Sequence, residues 1–136
     1  MADELSGQCA CGAIRYRIDT NIRQAVNCHC NMCRKHNGSV FSSYAVIPAG
    51  RFQVEDPDRK LGGYDYSERV RKHFCDHCGT PLFNTNTRYE KYRMIYLGTL
   101  DQAAQVVPNA NIYCSSQLDW VKSIDEISNF PEEFKA

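Results

Sequence analysis

The chain has 136 residues, 43% of them hydrophobic and 24% charged, which is the balance of an ordinary globular protein and a length that suits one domain over residues 1–136. Lys+Arg and Asp+Glu number 16 each, so the formal net charge is zero, and the basic footprint of a nucleic-acid binder or a membrane-surface protein is missing. The opening "MADELSGQCACG" carries two acids and no apolar run, so no signal peptide is expected, and the longest apolar stretch, around "YAVIPAG", is broken by Pro48 far short of a membrane span. The expected location is the cytoplasm.

Short runs of β-forming residues recur along the chain: "AIRYRI" at 13–18, "SVFSSYAVI" at 39–47, "RFQV" at 51–54, "ERVRKHF" at 68–74, "LFNTN" at 82–86, "YRMIYLGTL" at 92–100 and "NIYC" at 111–114. Turn signals separate them at Pro48-Ala49-Gly50, Gly62-Gly63, Gly79-Thr80-Pro81 and Pro108-Asn109, and "EDPDRKLGG" at 55–63 reads as a turn-rich connection. Strand alternation in "ERVRKHF" sets Arg69, Arg71 and His73 on one face and Val70, Lys72 and Phe74 on the other. One short helical turn is expected in the tail, "SIDEISNFPEEF", capped by Asp125 and ended by Pro131. No helix of ten residues separates the strands, so the expected fold is mainly β, with antiparallel sheets and little helix.

Eight cysteines make up about 6% of the chain, below the density of a small disulfide scaffold, and in a reducing compartment such clusters point to metal. Seven of them fall in three clusters: Cys9 and Cys11 in "GQCACG"; Cys28, Cys30 and Cys33 in "NCHCNMC"; Cys75 and Cys78 in "FCDHCG". Disulfides fit poorly, because i and i+2 of a strand lie roughly 6.5–7 Å apart, the edge of disulfide reach. The lone C-x-x-C lacks the βαβ context of a redox pair. Glycine after the second cysteine, Gly79 and likewise Gly12, suits a zinc turn in which backbone amides face the sulfurs.

Seven divides as four plus three. A closed four-cysteine site is structural, whereas three protein ligands and an open position make the catalytic pattern. Spacing alone leaves open which clusters share a metal. Three close cysteines can nevertheless make three bonds unaided, and the two distant pairs then form a four-cysteine staple. Three thiolates blunt the Lewis acidity of zinc, and they suit it to binding an incoming thiol as a nucleophile toward a small electrophile such as an aldehyde. Seven thiolates and two zincs leave an excess of three negative charges. Arg34, Lys35, Arg69, Arg71 and Lys72, near the clusters in sequence, either offset that charge, the simpler reading, or grip the carboxylates of a small thiol such as glutathione.

The ordered pieces "GQCACGAIRY", "NCHCNMCRKHNGS", "GGYDYSERVRKHFC" and "HFCDHCGTPLF", with the looser "IYCSSQLDW…ISNFPEEF", resemble the glutathione-dependent formaldehyde-activating enzyme family, which includes centromere protein V. The resemblance runs from residue 6 to about residue 131. It implies a β-tent fold of antiparallel sheets stapled by zinc, with two zincs per chain. Cys9, Cys11, Cys75 and Cys78 would hold the structural zinc; Cys28, Cys30 and Cys33 would hold the catalytic zinc, which a glutathione thiol approaches. The implied activity is that of a carbon–sulfur lyase interconverting S-hydroxymethylglutathione with glutathione and formaldehyde.

Other residues carry narrower expectations. His29, inside an extended C-x-C, should point away from the metal face. His36 and Arg34 are candidates for lining the pocket mouth and binding substrate, and Ser39 and Tyr44 are strand residues able to donate hydrogen bonds to it. His73 and His77 are expected to be structural. Cys114 is expected to be a small core residue, with Trp120 and Phe130 as core anchors closing the tail. Two rival functions have their own signatures. A non-catalytic zinc-stapled interaction module would have a fourth protein ligand, such as His29, His36 or Cys114, on the second zinc, or no second zinc. A zinc hydrolase would need a His or Glu partner that the neighbourhood of the cluster lacks.

Overall fold

The structure, a computed structural model, describes residues 4–134; Met1–Asp3 of the opening stretch and the last two positions of the 1–136 unit lie outside the described residues. Among the described residues ten strands form two sheets. In chain order they are β1 (Leu5–Gln8), β2 (Arg15–Ile18), β3 (Ala25–Cys28), β4 (Ser42–Pro48), β5 (Phe52–Glu55), β6 (Leu61–Asp65), β7 (Val70–Cys75), β8 (Pro81–Asn86), β9 (Tyr92–Tyr96) and β10 (Ala110–Ile112). The small sheet runs β1-β2-β5 and the large one β10-β3-β4-β9-β8-β7-β6. Every pairing is antiparallel except β10 with β3, which is parallel. The fold is mainly β, as expected.

The sheets face each other across a core of Ile14, Tyr16 and Ile18 on one side and Ile47, Leu82, Phe83 and Ile95 on the other. Alternation puts them there: Tyr16 and Ile18 are buried while Arg15 and Arg17 between them are exposed. Gly7 permits a close approach of the Tyr16 ring and the Thr99 backbone. A Cβ there would collide with the Tyr16 ring and the Thr99 carbonyl, and Gly7 also bridges to Leu100 beyond the large sheet. A second buried cluster (Val26, Cys28, Cys33, Tyr44 and Tyr96) lies around β3, β4 and β9.

The structure corrects several sequence expectations. Residues 55–63 are not wholly a connection: Leu61-Gly62-Gly63 begin β6, where Gly62 makes room for the Phe74 ring, 2.9 Å from where a Cβ would sit. Those glycines read as a turn but serve cross-strand packing. The strand expected at 92–100 ends at Tyr96, and a 3₁₀ turn at Leu97–Thr99 tucks Leu97 and Leu100 into the core. The run at 39–47 is a strand only from Ser42.

One seven-residue helix, α1 (Asn31–Asn37), was not expected, because it is too short to show a 3.6-residue period. Cys30 caps it: its Sγ accepts from the Cys33 amide at 3.3 Å. In the tail, 3₁₀ turns at Cys114–Ser116 and Asp119–Glu126 replace the single expected turn; Leu118, not Asp125, is the residue before the longer one. Trp120 and Phe130 are not core anchors. They are 49% and 42% exposed and stand outside the core cluster, which Leu97 and Leu100 enter. Cys114 is exposed as well; Tyr113, at φ 57°, turns the chain off β10 before it. Among the described residues no helix is long and apolar enough to cross a membrane.

Candidate metal centre

The seven clustered cysteines gather into two groups. Cys9 and Cys11 lie on the turn between β1 and β2; Cys75 ends β7, and Cys78 lies on the turn that follows. Their four Sγ atoms are within 4.8 Å of one another. Both turns are tight: the Gly12 amide donates to the Cys9 carbonyl at 3.1 Å and the Gly79 amide to the Cys75 carbonyl at 2.7 Å. Both glycines have φ near 80°, a left-handed conformation that a side chain would strain. Backbone amides face the sulfurs, as expected of such turns: Ile14 N lies 3.4 Å from Cys9 Sγ and Cys78 N lies 3.5 Å from Cys75 Sγ. Thr80 joins the two turns. Its Oγ1 accepts from the Ala10 amide at 3.0 Å and lies 3.1 Å from Cys78 Sγ. That hydroxyl holds the Cys78 thiol down to about 5.

The second group is assembled by β3 and α1. Cys28 ends β3, Cys30 caps the helix, and Cys33 sits one turn in, with the three Sγ atoms again within 4.8 Å of one another. Cys28 and Cys33 are 3% exposed, so the group opens outward only on the Cys30 side. A hydrogen bond from Cys28 is the largest influence holding the Cys33 thiol down to about 5, with the Tyr44 hydroxyl and Lys72 adding to it. The same bond, with burial, pushes the Cys28 thiol up.

The donor sets fit zinc. A tetrahedral ion bonded to sulfur at about 2.3 Å places neighbouring sulfurs about 3.8 Å apart. The separations are 3.6 Å for Cys9–Cys11, 3.8 Å for Cys11–Cys75 and 3.7 Å for Cys28–Cys33. Both groups can hold a metal ion. Among the described residues no His, Asp, Glu or Cys joins Cys28, Cys30 and Cys33 as a fourth ligand.

The remaining candidates separate in space. His29 is buried, points away from the cysteine group toward Phe41 (ring centroids 5.2 Å apart), and sets Nε2 3.3 Å from Asn111 Oδ1; its Nδ1 has no partner. His36, on α1, stacks on Tyr64 at 6.2 Å, and burial followed by the Lys72 charge lowers its pKa. Arg34 turns to the chain's own carbonyls: Nη1 donates to His29 O at 2.9 Å and to Ser116 O at 2.5 Å. Ser39 lies in the exposed turn after α1, not on a strand, and its amide donates to Asn37 Oδ1 at 2.7 Å. His73 stacks flat on Phe83 at 4.3 Å, and His77 is exposed. Arg71 pairs with Asp65 at 2.8 Å on the surface.

Sequence reasoning set Lys72 on the strand face of Val70 and Phe74 and counted it among five cations able to offset the thiolate charge; the structure brings Lys72 to the three-cysteine group. It is 1% exposed, with Nζ 3.9 Å from Cys33 Sγ. Asn84 and Tyr96 were missed altogether. The Asn84 amide, turned so that its oxygen faces inward, accepts from Lys72 Nζ at 3.0 Å and sets the same oxygen 3.0 Å from the Tyr44 hydroxyl, while its nitrogen donates to the Phe83 carbonyl at 3.2 Å. The Tyr44 and Tyr96 hydroxyls lie 3.2 Å apart. A lysine in register with Val70 and Phe74 was the available signal, since such a cation must find a partner inside.

A β protein that gathers four cysteines at one point and three at another has two sulfur groups that could each hold a metal ion. The profile of the family described as glutathione-dependent formaldehyde-activating enzyme matches residues 4–116, and the chain belongs to that family. A Penicillium rubens protein named "Putative glutathione-dependent formaldehyde-activating enzyme" is 24% identical over 136 residues, covering 98% of this chain and 71% of the relative. A Fusarium vanettenii protein of the same name is 29% identical over 80 residues, covering 59% of this chain and 43% of the relative. A crystal structure of a Rhodobacter sphaeroides protein shares the fold, with a TM-score of 0.61 at 19% identity over 76% of this chain and 97% of that one.

Proposed function

We propose that the chain is a carbon–sulfur lyase that interconverts a small thiol–aldehyde adduct with its thiol and aldehyde, the pair being glutathione and formaldehyde. The observation that carries this is the three-cysteine group with no fourth protein ligand among the described residues. Family membership and the name of the relatives supply the substrate pair. Cys9, Cys11, Cys75 and Cys78 would hold a structural zinc; Cys28, Cys30 and Cys33 would hold the second of two zincs per chain. Zinc on three thiolates lowers the pKa of an incoming thiol and keeps it nucleophilic near neutral pH.

In the forward direction the bond between sulfur and the hydroxymethyl carbon breaks, its electron pair stays on sulfur, and the hydroxyl proton passes to solvent water as the aldehyde carbonyl forms. The reverse step adds sulfur to the carbonyl carbon, and oxygen takes the proton. The chain's own residues hold charge and position. Tyr44 supplies a proton donor to Cys33, and burial raises the Tyr44 pKa so that the donor is kept. The half-buried Cys30 marks the side from which a thiol enters. The reading takes a reducing compartment such as the cytoplasm, where clustered thiols are kept from oxidation.

Exchange NMR on glutathione and formaldehyde, with and without the protein, tests the reading. The interconversion rate should rise with zinc-loaded protein and fall to the background rate with Cys30→Ala. A rate indifferent to added protein would leave the chain a zinc-stapled binding module instead.

A further inference from the structure

Lys72 has a chemical need that the lyase reading does not use. It is 1% exposed on the inner face of β7, and a cation removed from water is costly unless paired. The ion pairs of the described residues involve Arg17, Arg51 and Arg71 with acids, and none of them involves Lys72. Its two polar neighbours are the neutral Asn84 oxygen at 3.0 Å and Cys33 Sγ at 3.9 Å. The anion that balances this cation is therefore the cysteine group itself.

We infer that Lys72 is the built-in counter-charge of the Cys28–Cys30–Cys33 group, a positioning residue that sets a buried ammonium against Cys33 Sγ and matches the net charge of the group to a divalent ion. Three thiolates around a divalent ion carry one net negative charge, and one ammonium cancels it. A monovalent ion would leave the pocket one charge negative and a trivalent ion one charge positive, each costly at this depth. Asn84 holds the ammonium in place, and Tyr44 adds an uncharged hydrogen bond to the same sulfur. Among the described residues no lysine donates to a sulfur of the four-cysteine group, and Cys11 and Cys78 there are exposed, so solvent can screen its charge. The inference rests on metal binding by the three-cysteine group, not on the identity of the substrate.

The test uses Lys72→Met, which keeps the length and apolar stem of the side chain, and Lys72→Arg, which restores the charge. Zinc transfer to a chromogenic chelator reports the two sites separately, and cobalt substitution reports the ligand field of the three-cysteine site. Lys72→Met should weaken zinc at that site by about tenfold or more, leave the four-cysteine site within about twofold, and shift the cobalt-thiolate absorption; Lys72→Arg should recover most of the affinity. Equal zinc affinity at the three-cysteine site in Lys72→Met and wild type would overturn the inference. Should Lys72→Met not fold, the unaltered protein still decides: the ¹⁵N resonance of the Lys72 ammonium should move when cadmium replaces zinc, and an unmoved resonance overturns the inference. These readouts need no thiol or aldehyde, so a lyase assay that fails leaves them standing, and the reverse holds too.

Discussion

The Tyr44 hydroxyl lies 3.1 Å from Cys33 Sγ, joining the middle of the large sheet to the only α-helix among the described residues. Tyr44 stands opposite Tyr96 on the neighbouring strand, with ring centroids 4.7 Å apart, so its ring cannot swing away. Burial is the main cause keeping its pKa raised, and the one proton it carries goes to the strongest acceptor in reach, the sulfur of Cys33 when ionised. Tyr44→Phe keeps the ring and removes that donor. A hydrogen bond to a charged group is worth about 1.5–3 kcal/mol, so the zinc-loaded variant should lose about 2 kcal/mol in denaturant unfolding and still bind about two zincs. A midpoint equal to that of the wild type would show that the sulfur does not depend on this hydroxyl.

The metal groups were legible in sequence because ligand chemistry is local. Cys28, Cys30 and Cys33 lie within six positions, and two short C-x-C and C-x-x-C pairs account for the other four. Strands β2 and β5 were legible because each alternates between a covered and an exposed face, and β7 and β8 because of their β-forming residues, although β8 buries Leu82, Phe83 and Asn84 in succession. What stayed hidden depends on long-range contact. Tyr96 and Asn84 reach Tyr44 only through the pairing of β4, β9 and β8, and β6 hides behind glycines chosen for cross-strand contact. Trp120 and Phe130 looked like core residues from hydrophobicity alone, but whether an apolar side chain is covered depends on what else has filled the core.

The two metal groups differ in what their loss should do. Cys9 and Cys11 belong to the turn of the small sheet, and Cys75 and Cys78 to the large one, so the four-cysteine group ties the sheets together. A structural zinc is worth about 10–16 kcal/mol in peptide models, comparable to the whole stability of a domain, about 5–15 kcal/mol. Cys75→Ser should therefore lower the thermal midpoint by more than about 10 °C or prevent folding. Cys30→Ala should lower zinc from about two per chain to about one and leave the far-UV spectrum unchanged. Scanning calorimetry with zinc analysis checks both. A chelator-stripped protein that melts with the loaded one would remove the staple from the account.

Arg34 fastens the start of the tail. Its Nη1 donates both to the His29 carbonyl beside the cysteine group and to the Ser116 carbonyl. The turns beyond Ser116 are exposed and contribute no buried residue, so little else holds them. Arg34→Ala should raise amide exchange across residues 114–126 by about tenfold and change global stability by no more than about 1 kcal/mol. Hydrogen-exchange mass spectrometry separates these effects: unaltered protection there would assign the tether to other contacts.

His73 should make folding pH-sensitive independently of the cysteines' own titration. Its ring stacks on Phe83, and its Nε2 lies 3.0 Å from Thr85 Oγ1. Burial, with the nearby Arg71 and Arg93 charges, lowers its pKa from 6.5 to about 4. The folded protein thus keeps His73 neutral where the unfolded chain takes up a proton. Below 6.5 the unfolded state binds the extra proton, so the contribution of His73 to stability, complete above 6.5, drains away as the pH falls toward 4. His73→Phe removes the titrating group and keeps an aromatic surface against Phe83. Acid loss of metal weakens both proteins alike, so the difference between them isolates His73. Denaturant unfolding at matched free zinc should show the wild type losing stability more steeply than His73→Phe between pH 6.5 and 4.5, and parallel profiles would place the imidazole outside the linkage.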